Sequence, residues 1–186
     1  MNIARGLAKV YTGGSPVRVV TKEWQFIGAG YIGPVPVPVI IMIIAIIITA
    51  LMMNKTKLGR HIYAVGGNTQ AAEFSGIKVA RVKFIVHAYA GLMAGLAGII
   101  LASRMYSGQP TAGEGAEMDA IAAVVVGGTS MAGGSGKIGG TIIGALIIGV
   151  LNNGLNLMNV NSFWQDVVKG VVILLAVFID YIRNRK

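Results

Sequence analysis

Long uncharged stretches alternate with short basic segments along most of this 186-residue chain. The stretch from Val35 to Met53 carries no charged side chain, and as a helix it would rise about 28 Å at 1.5 Å per residue. That rise is close to the thickness of the hydrocarbon core of a bilayer. Phe84 to Ser103 contains one basic residue, His87, and Ile138 to Met158 contains no charge. The pattern therefore predicts helices that span a membrane.

Two more segments are apolar enough to be considered as spans. Phe163 to Ile182 is mainly apolar and has Trp164 and Tyr181 near its ends, where aromatic residues meet the membrane interface. Ala120 to Gly136 begins as AIAAVVV but continues as GGTSMAGGSG, so its helical length is ambiguous from the sequence.

The basic residues decide whether the ambiguous segment crosses. They concentrate between the first two spans and in the tail, and the positive-inside rule places both regions in the cytoplasm. An even number of crossings must then separate loop from tail, so the ambiguous segment has to cross. Its glycines predict a short or broken helix that neighbouring helices shield from lipid.

The sequence thus predicts an all-α polytopic membrane protein with about five transmembrane helices, one of them short or broken. Residues 1–34 are expected to hold the end of an earlier span and an extracytoplasmic segment, and residues 35–186 the transmembrane domain. The expected spans, with a cytoplasmic loop at 54–83, are about 35–53, 84–103, 117–134, 138–158 and 163–182.

Composition supports this class and excludes others. Hydrophobic residues make up 54% of the chain and charged residues only 12%, which is too few to cover a soluble surface. The net charge of +9 lies in loops rather than on one face, so nucleic-acid binding is not expected. The chain has no cysteine and only two histidines, so we expect neither a metal site nor a cofactor.

Small residues mark candidate packing faces within the spans. Gly91 and Gly95, and likewise Gly140 and Gly144, form pairs spaced four residues apart, which allow another helix to approach closely. Polar residues lie near the end of the same span as the second pair: Asn152, Asn153 and Asn156. These asparagines could bond between helices or line a polar path, and the sequence favours neither.

Acidic residues offer weaker signals. Glu114, Glu117 and Asp119 precede the short span, where carboxylates suit a helix N-terminus, and the alternative is the outer mouth of a pathway. Asp166 and Lys169 are three residues apart and predict an ion pair on one helix face. No nucleophile accompanies the carboxylates, so we expect no catalytic site. The GSGKIG sequence at residues 134–139 fits a membrane turn, because no acidic residue follows at the spacing of a dinucleotide site.

The loop between the first two spans contains a short predicted helix. Asn68 can cap a helix from Thr69 to Ser75, and Gly76 can end it with a positive φ. A helix of two turns is marginal in water and needs tertiary support or a docking partner. Its alanines, Ala71 and Ala72, are small enough to enter a partner's cleft.

This loop carries a family resemblance. QAAEFSG resembles the EAAxxxG element of ATP-binding-cassette importer permeases, with Gln70 in place of the usual glutamate. GRHIYAVGGNTQAAEFSGIKV, and the long stretch from SGQPTAG to LNNGLNL, resemble the ribose-type monosaccharide permeases over nearly the whole chain. QPTAG and LNNGLNL are closer to the ribose branch than to the galactose branch.

The resemblance implies a non-enzymatic permease subunit in a bacterial cytoplasmic membrane, moving a monosaccharide such as ribose by alternating access. It implies three protein partners: a second permease copy, a cytoplasmic ATPase subunit and an extracytoplasmic sugar-binding protein. The coupling loop to the ATPase would comprise Gln70, Ala71, Ala72, Glu73 and Gly76. Open alternatives are transport of an autoinducer sugar or a branched-chain amino acid, and a remnant that does not transport.

The chain departs from the family in length, since members are about twice as long with roughly ten spans. Its opening residues, MNIARGLAKVYTGGSPV, resemble the interior of a family member. We therefore expect the chain to correspond to the C-terminal half of such a permease, from a split gene, a truncated gene model or a fragment.

Overall fold

The computed structural model describes residues 2–18 and 21–184 of the chain, with side chains described between residues 3 and 178. Two basic residues of the tail on which the predicted topology depends, Arg185 and Lys186, lie outside the described residues. Within the described ranges most residues are helical, which confirms the predicted class.

The described residues form nine helices and four strands of two residues each. The helices are α1 Asn2–Thr12, α2 Lys22–Ala29, α3 Val37–Lys55, α4 Lys57–Gly67, α5 Thr69–Phe74, α6 Val79–Arg104, α7 Ala116–Val126, α8 Ile138–Leu157 and α9 Ser162–Asn184. The strands are β1 Val17–Arg18, β2 Tyr31–Ile32, β3 Val35–Pro36 and β4 Ser107–Gly108. They pair as two antiparallel ribbons, β1 with β4 and β2 with β3.

Three helices of the described part, α3, α6 and α8, are long and apolar enough to cross a membrane. Many of their large apolar side chains face outward; Ile44, Ile48 and Leu51 of α3 are each more than half exposed. In water such a surface would be costly, whereas lipid or a neighbouring apolar helix can cover it.

α7 is shorter than these three helices, whereas α9 is comparable to them in length. α7 has 11 residues, a rise of about 16 Å, so it is the short helix that the sequence predicted. It ends at Val126 and is followed by turns up to Lys137. α9 has 23 residues, which is long enough to cross a bilayer; it carries Asp166 and Lys169, and its side chains are described as far as Phe178.

The chain divides into two compact units, of which one comprises Met1–Thr49 and Lys83–Glu114. In this unit Ser103 is fully buried, and its hydroxyl accepts a hydrogen bond from the amide of Gly28 at 2.7 Å and donates to the carbonyl of Trp24. Thr49 and Tyr89 share a hydrogen bond of 2.6 Å between their hydroxyls. These polar contacts hold α2 and α3 against α6.

The other unit comprises Ala50–Val82 and Gly115–Lys186, and its core lies between α7, α8 and α9. Ala122 and Ala123 of α7 are buried with Ile148 of α8, and Val172 and Ile173 of α9 pack against them.

α7 and α8 approach each other through glycines. A Cβ built on Gly144 would overlap the carbonyl oxygen of Ala123 and lie 2.8 Å from the amide nitrogen of Gly127. A Cβ on Gly140 would overlap the carbonyl oxygen of Gly127. Both glycines of the predicted α8 pair therefore lie at a close helix contact.

The other predicted pair, Gly91 and Gly95 on α6, is open in this chain. No described atom outside the local helix lies within 4 Å of a Cβ built at either position. Their predicted role in packing stays a prediction, which a second subunit or further chain would have to fulfil.

The α7–α8 contact yields a matched comparison on a single helix. Gly144→Leu should destabilise the protein by about 1–3 kcal/mol or more, because the added atoms collide with backbone that cannot change rotamer. Gly149→Leu is the control, since a Cβ at Gly149 meets no described atom within 4 Å. Thermal unfolding in one detergent measures both variants. Equal melting temperatures would show that α7 and α8 do not pack in this way.

Candidate functional site

A polar cluster joins the three helices of the α7–α9 core. Asp119 lies in the first turn of α7, where Asn152 of α8 donates a hydrogen bond from Nδ2 to Asp119 Oδ2 at 3.1 Å. The ammonium of Lys169, on α9, lies 3.0 Å from Asp119 Oδ1. One carboxylate thus contacts a donor from each of the two neighbouring helices.

Because the cluster is partly buried, the ion pair between Asp119 and Lys169 matters for stability. The side chain of Lys169 is 18% exposed and that of Asp119 is 30% exposed. A half-buried carboxylate without a partner would lose hydration that nothing else replaces. The Asn152 Oδ1 atom is buried and has no hydrogen-bond partner among the described residues. The cluster therefore ties the helices together but leaves one acceptor unused.

Sequence reasoning identified Asp119 and Asn152 but not the partner of the carboxylate. The predicted pair of Asp166 and Lys169 is present only at 4.0 Å, and the Asp166 side chain is 76% exposed. The ammonium of Lys169 lies 1.0 Å closer to the Asp119 carboxylate than to the Asp166 carboxylate. The signal in the sequence was a lysine inside an apolar helix, where a charge requires a partner.

The other polar residues singled out in the sequence lie outside this cluster. Asn156 Oδ1 accepts a hydrogen bond of 2.9 Å from Gln165 Nε2, so this asparagine fastens the α8–α9 connection. Asn153 is exposed. Glu117 is exposed in the first turn of α7, as a helix-terminal role would require. Glu114 instead lies 3.8 Å from Arg5.

A second candidate site is α5 with its flanking turns. The Asn68 side chain accepts a hydrogen bond from the amide of Ala71 at 2.9 Å, so Asn68 caps the helix as predicted. Gly76 follows the helix with φ of +82°, which confirms the expected left-handed turn. The sequence therefore sets both ends of α5.

The two faces of α5 have opposite surroundings. Ala72 is 4% exposed and packs with Val65 and Val82, so it anchors α5 to its own chain. The expectation that Ala72 enters a partner's cleft is therefore wrong for the described arrangement. The outward face consists of exposed residues: Gln70, Ala71, Glu73 and Phe74. Phe74 is 92% exposed, and sequence reasoning did not single it out.

No ionisable cluster in the described part of the chain has the composition of a metal site. The features of the described residues are instead long outward-facing apolar helices, backbone contacts through glycine, one half-buried ion pair between helices, and a short capped helix outside the apolar segments. They define a multi-pass membrane protein.

The comparison with known families agrees with this class. A family described as the permease component of branched-chain amino acid transport systems matches residues 3–177. The chain belongs to this permease family.

Several curated relatives resemble the chain closely. The ribose import permease protein of Bacillus subtilis is 56% identical over 182 residues, which are 97% of this chain and 56% of the relative. That of Escherichia coli K12 is 54% identical over 184 residues, 97% of this chain and 57% of the relative. The xylose transport system permease protein of Escherichia coli K12 is 49% identical over 152 residues, 82% and 39% of the two chains.

The chain spans a little more than half the length of the ribose relatives. No solved structure matches it significantly.

The ion pair yields a prediction about how the helices are held. Lys169→Met should leave the Asp119 carboxylate without its cation, although the hydrogen bond from Asn152 remains. The loss of stability should lie between about 0.2–1 kcal/mol, as for exposed ion pairs, and about 3–5 kcal/mol, as for buried ones. Adding Asp119→Leu should recover part of that loss, because no uncompensated charge remains. Melting temperatures of the two single variants and the double variant measure the coupling between the residues. Strictly additive losses would contradict a direct Asp119–Lys169 interaction.

Proposed function

We propose that this chain is the membrane-spanning permease subunit, or the C-terminal portion of one, of an ATP-binding-cassette importer for a monosaccharide of the ribose type. The observation that carries the proposal is the 54–56% identity to ribose import permeases across 97% of the chain. Sugar moves by alternating access, and ATP is hydrolysed in a separate subunit, so the chain itself is not an enzyme.

The proposed partner for α5 is that ATPase subunit in the cytoplasm. The helix is capped at Asn68 and anchored at Ala72, so a force applied to its outer face reaches the chain without first unfolding the helix. The outer face offers an aromatic anchor, Phe74, beside one carboxylate, Glu73. Aromatic side chains that enter a pocket dominate many interfaces, and the carboxylate suits a basic residue at the rim.

The basic residues around α5 support its proposed cytoplasmic location. Six lysines and arginines flank it against one acidic residue: Lys55, Lys57, Arg60, Lys78, Arg81 and Lys83. By the same rule residues 54–83 face the cytoplasm. The similarity to bacterial import permeases supports a location in the bacterial cytoplasmic membrane.

Lipid and further helices can together cover the chain's outward-facing apolar surface. A second permease copy is the proposed partner for one part of it, with Gly91 and Gly95 of α6 available for close approach. An extracytoplasmic sugar-binding protein would deliver the solute. We assign Asp119 and Asn152 to helix contact rather than to the solute path, because both bond to neighbouring helices.

Uptake of radiolabelled ribose tests the proposal. The chain is produced with the first half of a ribose permease, its ATPase subunit and its binding protein, in cells that lack their own system. We expect ATP-dependent uptake that excess unlabelled ribose abolishes. Unlabelled leucine, xylose and an autoinducer sugar are then tested as competitors of labelled ribose. Leucine is included because of the family description, xylose because of the xylose relative, and the autoinducer sugar because it is one of the alternative solutes. Leucine or autoinducer uptake without ribose uptake would favour the corresponding alternative, and no uptake of any solute would favour a remnant that does not transport.

The same cells test the ATPase contact. Phe74→Ser should reduce co-purification of the ATPase subunit and uptake together, because the exposed aromatic anchor is lost. Phe26→Ser is the control, since Phe26 is half exposed on α2, in the segment predicted to be extracytoplasmic. Both variants should insert normally. Unchanged co-purification of Phe74→Ser would place the contact with the ATPase elsewhere.

A further inference from the structure

The C-terminal end of α4 touches the turn between α7 and α8 backbone to backbone. A Cβ built on Gly66 would lie 2.8 Å from the amide nitrogen of Gly134, and one on Gly134 would lie 2.7 Å from the Cα of Gly67. A Cβ on Gly133 would overlap the carbonyl oxygen of Gly66. We call the contact of Gly66 with Gly133 and Gly134 the glycine clasp.

The turn side of the clasp requires glycine for a second reason. Gly133 and Gly134 have φ values of +92° and +74°, which side-chain-bearing residues rarely adopt. The conformation that brings the turn against α4 is therefore available only with glycine at both positions. The close contact with α4 and the positive φ values are therefore two independent reasons for glycine at positions 133 and 134.

A side-chain hydrogen bond reinforces the clasp. The hydroxyl of Tyr63, on α4, donates to the carbonyl oxygen of Gly136 at 3.0 Å. Within the turn, the amide of Ser130 donates to the carbonyl oxygen of Ser135 at 3.0 Å. This internal bond closes the turn on itself, so the turn can move with α4 as one body.

The clasp joins two parts of the fold that are distant along the chain. On one side, α4 leads through Asn68 into α5, and Val65 of α4 packs with Ala72 of α5. On the other side, the turn leads directly into α8, whose Gly140 is in backbone contact with Gly127 at the end of α7. Every link between α5 and the α7–α8 pair is thus a packed or backbone contact.

We infer that the glycine clasp transmits displacement of α5 to the α7–α8 pair, and so makes Gly66, Gly133 and Gly134 positioning residues for transport. This inference rests on the proposed function. Backbone atoms in direct contact have no side chain between them that could change rotamer and absorb a displacement. A push on α5 therefore reaches α8 across the clasp, in addition to the covalent route through α6.

Two adjacent glycines of α4 supply the decisive comparison. Gly66→Ala forces the clasp apart, whereas a Cβ on Gly67 lies 3.8 Å from the Cα of Gly134, an ordinary contact. Both substitutions change helix propensity alike. In the complete transporter, Gly66→Ala should retain the ATPase subunit and hydrolyse ATP, yet the ribose taken up per ATP should fall about fivefold or more, within the usual range of coupling. Gly67→Ala should keep the parental ratio.

A milder variant covers the case in which Gly66→Ala fails to accumulate in the membrane. Tyr63→Phe removes only the hydrogen bond to Gly136, and it should lower the same ratio to a smaller extent. If Tyr63 served only to stabilise the fold, Tyr63→Phe would lower the amount of transporter in the membrane. The remaining transporter would still take up the parental amount of ribose per ATP.

Spin labels give a readout that does not depend on transport. The chain has no cysteine, so single cysteines at His61 and Met131, both exposed, can be labelled selectively. The distance between them should be the same in nucleotide-free and ATP-bound transporter, because α4 and the turn move together. A distance that changes between the two states would overturn the inference.

The outcomes separate the inference from the proposed function. A parental transporter that takes up no ribose would refute the function, and with it the role of the clasp. If the parental transporter takes up ribose normally and Gly66→Ala keeps the parental amount of ribose per ATP, the role of the clasp is overturned and the proposed function stands. Where Gly66→Ala does not accumulate, the same result in Tyr63→Phe leads to the same conclusion.

Discussion

The direct backbone contact between α7 and α8 is the constraint on which the described core depends. In lipid the hydrophobic effect no longer drives helices together, so association relies on close van der Waals contact and on polar bonds between helices. Gly140 and Gly144 permit that contact against Gly127 and Ala123. The contact also compensates for the length of α7, because 11 residues cannot span a bilayer and need a longer partner to shield their ends.

The polar contacts of the core follow from this packing. Once α7 and α8 are in contact, Asn152 comes within reach of Asp119, and α9 packs beside them so that Lys169 completes the cluster. A charge in an apolar helix is costly unless an opposite charge neutralises it. Here Asp119 of α7 and Lys169 of α9 neutralise each other. The ion pair therefore links α9 to the α7–α8 pair at a defined position.

Much of the fold could be predicted from the sequence because the responsible interactions are local. The absence of charge over Val35 to Met53, the cap at Asn68 and the left-handed turn at Gly76 each act within one element. The shortness of α7 followed from the glycines that come after Val126. The family resemblance added the expected function, which the fold alone would not have supplied.

The errors and omissions concern contacts between elements. Nothing near Lys169 in the sequence indicates that Asp119, 50 positions earlier, is closer to it than Asp166. Ala72 has the same side chain as Ala71, and only the packing against Val65 shows that it faces inward.

The glycine pairs show the same limit of local patterns. Gly91 and Gly95 have the same spacing as Gly140 and Gly144, yet only the second pair meets a helix of this chain. Which glycine pair packs against another helix of the chain depends on the surface of that second helix, and the spacing of the glycines carries no information about that surface.

The most direct measurement is the separation of α7 and α8 in an experimental structure of the assembled transporter in a lipid nanodisc. The glycine contact predicts that the axes cross closer than the about 8–10 Å usual for packed helices, with Gly144 against the Ala123 carbonyl. An ordinary separation, with Gly144 facing lipid and side chains filling the space between the helices, would contradict the account.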